Sequence, residues 1–256
     1  ACANGDTRHR LVRLNIGTPT FQRAPGEATG TFALEVAMDE LAVALGMDPV
    51  ALRLANYAKT DPLEDKPFSS KALDQCYARG AERFGWSRRD PKPRAMRDGR
   101  WLVGWGMATA TYPARRSKAA AVARLMPDGT ALVQAGSQDI GTGTYTIMTQ
   151  VAADALGLPI ARVRFELGDT ELPETPVSGG SQTAARVAPA VQAACFSARD
   201  QLVARAVADA ESPLHGADRA DVVVADGWLG VRGDAKKRET FAAVIARHGG
   251  QPIEGK

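Results

Sequence analysis

The apolar residues follow two different periods along the chain, and the change from one to the other predicts its elements. From His9 to Ile16 the order Leu-Val-Arg-Leu-Asn-Ile alternates as a strand would, and Gly17-Thr18-Pro19 ends it. A helix is predicted from about Glu27 to Leu45, because Leu34, Met38, Leu41 and Leu45 fall on one face and Gly46 supplies the stop. Asp48-Pro49 opens a second short helix through Asn56, with Asp as cap and Pro in the first turn, and Ser70 to Phe84 reads as a third. Between Trp86 and Arg100 the periodicity stops, and Ser-Arg-Arg-Asp-Pro-Lys-Pro-Arg reads as a solvated linker. Strands are expected at Leu102–Thr111, Ala119–Met126 and Thr130–Ala135, the last two joined through Pro127-Asp128-Gly129. A helix from about Tyr145 to Leu156 and a strand at Val163–Leu167 complete a βαβ unit, for which a right-handed crossover is expected. An Ala-rich helix follows over about Ala188–Asp209. Val222–Ala225 and Trp228–Val231 then flank an Asp-Gly turn, and Thr240–His248 closes with one more helix. The fold class expected is α+β, or mixed α/β, with helices packed on mixed sheets.

Composition narrows the partners more than the fold. Hydrophobic residues are 45% and charged residues 24%, ordinary values for a packed chain, and the net charge of +3 argues neither for nucleic acid nor for an anionic membrane. No apolar run approaches the length of a membrane span. The first residues, Ala1-Cys2-Ala3, carry neither an initiator Met nor a signal-peptide pattern, so targeting is not readable and cytoplasmic and periplasmic locations both stay open. Cys2, Cys76 and Cys195 are far apart, as are His9, His215 and His248. Without a C-x-x-C pair, neither a zinc ribbon nor an iron–sulfur cluster held by this chain alone is expected.

Two loops are the candidate chemistry. Gly136-Ser-Gln-Asp-Ile-Gly141-Thr142-Gly143-Thr144 lies between a predicted strand and helix, and Ser178-Gly179-Gly180-Ser181-Gln182-Thr183 precedes the long helix. Glycines let a ligand approach the backbone, helix starts offer unpaired N–H groups, and Ser and Thr add hydroxyls, so together they suit one polyanionic ligand. Arg23 in Gln22-Arg23-Ala24-Pro25-Gly26-Glu27 could clamp an anion, and Arg115 and Arg116 end a predicted strand. Named motifs do not fit. The Walker pattern is absent, and Gly141-Thr-Gly143-Thr-Tyr-Thr146 starts like GxGxxG but lacks the third glycine. Gly179-Gly180-Ser181-Gln182-Thr183 is one residue short of GxSxG, and the possible oxyanion segment His248-Gly249-Gly250 follows it rather than preceding it. A Rossmann-like nucleotide-binding enzyme and a non-catalytic interaction module stand as the alternatives.

Taken together, the segments resemble the molybdenum-binding large subunit of the xanthine dehydrogenase/aldehyde oxidoreductase (molybdenum hydroxylase) family, nearest its bacterial aldehyde oxidoreductase branch. The residues that carry the resemblance are Gln22 to Glu27 with Ala37-Met38-Asp39-Glu40-Leu41-Ala42. Asp139-Ile140-Gly141-Thr142-Gly143-Thr144 with Gln150-Val151-Ala152-Ala153, then Gly168-Asp169-Thr170 and Gly179-Gly180-Ser181, complete them. Their order and spacing match across nearly the whole chain.

The resemblance implies an oxidoreductase that hydroxylates small aldehydes or N-heterocycles with water-derived oxygen. The implied cofactor is molybdenum held by molybdopterin, as the cytosine dinucleotide. Electrons would leave through an iron–sulfur subunit and often an FAD-binding subunit. It implies that Gln22, Arg23 and Ala24, Gly141 to Thr144, and Gly179, Gly180, Ser181, Gln182 and Thr183 contact the cofactor, with no direct protein ligand to the metal. Arg115 and Arg116 would line the substrate funnel. The Thr142 position is often Gln in eukaryotic relatives. The family's catalytic Glu lies in a Gly-x-Gly-Glu stretch near the subunit's C-terminus, and none occurs here, so no general base is nominated; Glu27, Glu166 and Asp169 are not candidates. Family subunits run several hundred residues longer, so the chain reads as an internal fragment, inactive by itself. Residues 1–85 would be the C-terminal part of a first cofactor-binding domain, 86–100 a linker and 101–256 an incomplete second domain.

Overall fold

The computed structural model describes residues 6, 8–112 and 117–256, in two compact units, Ala1–Tyr112 and Pro113–Lys256. In the first unit α1 (Glu27–Leu45) ends on Gly46, whose left-handed conformation turns its N–H onto the Ala42 and Val43 carbonyls. Helix α2 (Pro49–Ala55) starts from Asp48, whose carboxylate accepts from the amides of Val50 at 2.9 Å and Ala51 at 3.1 Å. A two-residue hairpin, β1 (Thr60–Asp61) with β2 (Lys66–Pro67), leads to α3 (Leu73–Phe84), and a second, β3 (Arg97–Asp98) with β4 (Trp101–Leu102), follows a short 3₁₀ turn at Trp86–Arg88.

Three expectations change in this unit. Residues 9–16 pair with no strand among the described residues; alternation creates a face, but a strand also needs a partner for its backbone. Of the strand expected over Leu102–Thr111, only Leu102 lies in a ladder, with one further backbone bond from the Val103 amide to Met96 at 2.9 Å. The alternation itself persists, with Val103, Trp105, Met107 and Thr109 half-buried and the residues between them exposed, but side chains replace the ladder. Arg89 donates to the Trp105 carbonyl at 3.1 Å, the Tyr77 and Thr109 hydroxyls lie 2.6 Å apart, and the Thr109 amide donates to Glu35 at 2.8 Å.

The third correction is the face of α1. Leu34, Leu41 and Leu45 are 60, 46 and 56% exposed, while Glu35 and Ala42 are buried. Apolar residues lie on all sides of this helix, so its pattern does not choose an inner face. Arg53 of α2 does. Its guanidinium reaches Glu35 at 2.7 Å, Asp39 at 2.9 Å and the Pro49 carbonyl at 3.0 Å, and a buried cation has to be met this way. Most of residues 86–100 is exposed, anchored where Trp86 donates to Asp48 at 2.8 Å.

The second unit holds a four-stranded mixed sheet. Strands β5 (Val122–Leu125) and β6 (Ala131–Gln134) form the expected hairpin, α4 (Thr144–Leu156) follows, and β7 (Val163–Glu166) pairs parallel to β6, so the βαβ unit forms. Helix α5 (Thr183–Ala208) packs on the same sheet. It begins five residues earlier than the expected Ala188 and runs through Pro189. A meander of β8 (Val222–Ala225), β9 (Trp228–Val231) and β10 (Asp234–Thr240) precedes α6 (Phe241–Arg247), and β11 (Ile253–Gly255) returns to pair with β5. Leu125, Val133, Met148, Leu156, Val191 and Leu202 are fully buried between sheet and helices. The polar positions of the four strands join Lys256, Glu254, Arg124, Gln134, Glu166 and Arg164 in one chain of contacts of 2.6 to 2.8 Å. This strand order, with α4 and α5 on one sheet, is α+β with a mixed sheet.

Candidate functional site

The loop between β6 and α4 is built by strand register. Beyond β6 the Ala135 amide donates to Glu166, and the Gly136 amide to the Pro173 carbonyl at 2.7 Å. A Cβ on Gly136 would lie 2.9 Å from that oxygen, so only glycine fits there. Ser137 then accepts from the Gly168 amide at 2.9 Å, which sets Gly168-Asp169-Thr170 beside the loop. The loop between β7 and α5 meets it at Gln138, which accepts from the Ser178 amide at 2.9 Å and, through its carbonyl, from the Ser178 hydroxyl at 3.0 Å. The two Gly-rich segments are therefore neighbours, as one shared ligand would require.

Close along the chain to the two residues of this junction, three buried polar atoms have no hydrogen-bond partner among the described residues: Ser137 Oγ, Thr175 Oγ1 and Gln182 Oε1. Ser137 directly precedes Gln138, and Thr175 and Gln182 stand on either side of Ser178. Buried polar atoms are rarely left unpaired, so three such atoms in the two segments that meet here leave bonding capacity that a polar ligand could complete. The backbone is open as well. A Cβ built on Gly141, Gly143 or Gly179 meets nothing within 4 Å. Gly180 and Ser181 take left-handed conformations (φ 62° and 52°) just before α5, whose first turn no side chain caps.

The start of α4 is different. Asp139 Oδ1 accepts from the amides of Gly141, Thr142 and Gly143 at 2.9 to 3.2 Å, and Oδ2 from that of Tyr145 at 3.2 Å. The Tyr145 amide foremost, with those of the loop, holds this carboxyl below its usual range. Four amides that could have met a ligand anion at this helix start are thus already taken. Thr142 and the buried Thr144 pair their hydroxyls at 3.1 Å. Sequence reasoning assigned no contact role to Ser137, Gln138 and Asp139, although they lie in a loop it singled out, nor to Thr175. Asp139 was the findable one, since an Asp two residues ahead of Gly-Thr-Gly at a helix start is a capping signature.

Gln22, Arg23 and Ala24 belong to the first unit. Gln22 and Arg23 are exposed, Ala24 is left-handed at φ 55°, and its carbonyl accepts from the Ala28 amide at 3.0 Å as α1 begins. Arg115 and Arg116 lie outside the described residues. Glu166 is engaged by Gln134 and Arg164, both at 2.7 Å, and Asp169 caps the Glu171 amide at 2.9 Å. Burial pushes the Cys195 thiol up to about 12, which leaves it unreactive, while Cys76 is exposed. Among the described residues no three His, Cys, Asp or Glu side chains are grouped to hold a metal, and no helix is long and apolar enough to cross a membrane.

Comparison with known proteins supplies a lineage. Two sequence families, both described as molybdopterin cofactor-binding domain, match residues 1–57 and 79–256. The aldehyde oxidoreductase molybdenum-binding subunit PaoC of Escherichia coli (strain K12) is 41% identical over 212 residues, 82% of this chain and 29% of that protein. The putative xanthine dehydrogenase molybdenum-binding subunit XdhA of the same organism is 30% identical over 201 residues, 75% of this chain and 27% of that protein. The chain thus spans under a third of the length of these relatives. Among solved structures, quinoline 2-oxidoreductase from Pseudomonas putida 86 superposes with a TM-score of 0.60 at 22% identity, covering 88% of this chain and 32% of that one. The aldehyde oxidoreductase of Desulfovibrio desulfuricans ATCC 27774 gives 0.58 at 22% identity, over 91% of this chain and 23% of that one. At that identity the likeness is one of fold.

Proposed function

The chain belongs to the molybdopterin cofactor-binding domain family, and from that premise we propose that it forms part of the cofactor site of a longer oxidoreductase subunit. Residues 1–85 would supply the end of a first cofactor-binding domain, 86–100 a linker, and 101–256 much of a second. The reaction is hydroxylation of a small aldehyde or N-heterocycle with water-derived oxygen. Identity of 41% to an aldehyde oxidoreductase subunit favours the aldehyde. The cofactor is molybdenum–molybdopterin as its cytosine dinucleotide, and iron–sulfur and FAD-binding subunits take the electrons.

The observation that carries this reading is the junction of the two Gly-rich loops at Gln138 and Ser178, in whose segments three buried polar atoms have no partner among the described residues. A pterin is a flat, polar heterocycle bearing phosphate, and the residues present fit it. Bare backbone at Gly141, Gly143 and Gly179 gives such a ring close approach, and Ser137, Thr175 and Gln182 hold spare hydrogen-bonding capacity. Gly180, Ser181 and Thr183 at the start of α5 would bind the phosphates. The Thr142 and Thr144 hydroxyls would orient the pterin, and the family resemblance assigns cofactor contact to Gln22, Arg23 and Ala24 as well. Bound there, the molybdenum centre supplies the two-electron redox chemistry that the protein itself lacks. The chain's share is to hold the group, fix its orientation and satisfy its polar edges. Arg115 and Arg116 would steer a polar or aromatic substrate.

Gly179 gives the cleanest test. It does not need a left-handed backbone and its Cβ position is open, so Gly179→Val should leave the fold intact while filling space that a ligand would use. In the longer subunit, molybdenum retention is expected to fall at least about tenfold, a loss of about 1.4 kcal/mol of binding, with melting unchanged. Full molybdenum in a folded Gly179→Val subunit would exclude this loop from the site.

A further inference from the structure

We infer that Asp139 is a positioning residue that fills the N-terminus of α4 from within, so that the phosphates of the ligand are excluded from α4 and the Gly141–Thr144 loop meets only its uncharged part. This rests on the reading of the two loops as a cofactor site. The geometry behind it is complete. Four of the amides that a Gly-rich helix start would turn toward an anion instead donate to one carboxylate, three to Oδ1 and one to Oδ2. That carboxylate stays charged at neutral pH, because the same amides hold it below the usual range. An anion arriving at α4 would find four of its nearest donors spent and a like charge beneath them. What the loop still offers is neutral: the Thr142 hydroxyl and the bare edges of Gly141 and Gly143.

Helix α5 shows the opposite arrangement. No side chain caps its first turn, so the amides there are not claimed by an internal anion. Two similar-looking Gly-rich helix starts in one site therefore differ in charge. One is closed by its own anion, and the other keeps its polarity for a ligand. Asp139 sets which end of an elongated, singly ended polyanion lies against which loop. Its role is orientation, exerted through the backbone it holds.

The test is a titration of the full chain with inorganic phosphate, followed by the chemical shifts of individual amides. In the wild type, shifts are expected at Thr183 to Ala185 and none at Gly141, Thr142, Gly143 and Tyr145. Asp139→Ala should open the second site, with those four amides responding to phosphate and affinity there rising at least tenfold. A merely structural role for Asp139 would lower stability without creating phosphate binding. If Asp139→Ala does not fold, Asp139→Asn decides the matter: it keeps the accepting oxygen but removes the charge, and the Tyr145 amide should become phosphate-responsive. Phosphate-dependent shifts at Gly141 to Tyr145 in the wild type, or no gain in the folded variants, would overturn the inference. A longer subunit that lacks molybdenum while this pattern holds would instead sink the cofactor reading and leave the Asp139 assignment standing.

Discussion

Arg53 shows how one side chain can decide a face that hydrophobic pattern leaves open. Burial pulls its proton affinity down, but hydrogen bonds to Glu35 and Asp39 more than offset this and hold it above the ordinary value. Removing the cation leaves the buried Glu35 carboxylate with the Thr109 amide but no counter-charge. Arg53→Ala should therefore destabilise the first unit by about 3 kcal/mol, the low end for a broken buried pair because Asp39 is open to solvent. Glu35→Gln, which can still accept from the Thr109 amide, should cost less. Urea unfolding of both variants checks this, and equal losses would remove the pairing as the cause. None of this was legible beforehand, since a Glu and an Arg eighteen residues apart carry no local signal. The cofactor loops were more legible, because glycine, serine and threonine between a strand and a helix restrict what the backbone can do. The unpaired Ser137, Thr175 and Gln182 atoms were not, because burial depends on what folds over them.

Elements with a strong local period were readable, and those defined by partners were not. The β6–α4–β7 unit and the β8–β9 hairpin follow from alternation, helical spacing and Asp-Gly or Pro-Asp-Gly turns. Strand β10 is mostly polar and exposed, and β11 has three residues; each exists because a neighbour offers it an edge. Helix α5 starts five residues before the expected Ala188 and runs through Pro189. Inside a helix, proline leaves the carbonyl four residues back, here on Ala185, without its usual donor. Pro189 is exposed, so Pro189→Ala should stabilise the second unit by about 1–2 kcal/mol. That is less than the ~3 kcal/mol interior penalty, because the unfolded chain regains entropy. Thermal melting would show the gain, and a loss would mean that the proline contributes to native packing.

At the scale of the whole molecule, apolar surface is the dominant feature of the first unit. Phe32 and Val43 of α1 are 73 and 76% exposed, alongside Leu11, Leu14 and Phe21, more than a soluble surface normally leaves in one stretch. The chain on its own is expected to associate, with sedimentation showing species above the monomer across a concentration series; a monodisperse monomer melting cooperatively at high temperature would contradict this. Domain family and fold class were readable from ordered motifs, whereas the uncovered face of α1 emerged only from the packing of Glu35 and Arg53. The central claim is that the joined Gly-rich loops hold a molybdopterin cofactor. Its most direct test is molybdenum content by mass spectrometry, with the nucleotide released by acid, on the native subunit containing this chain purified with its co-occurring partners. One molybdenum and one cytidine monophosphate per subunit is the predicted result. A folded preparation from a molybdenum-replete host that yields neither would contradict it.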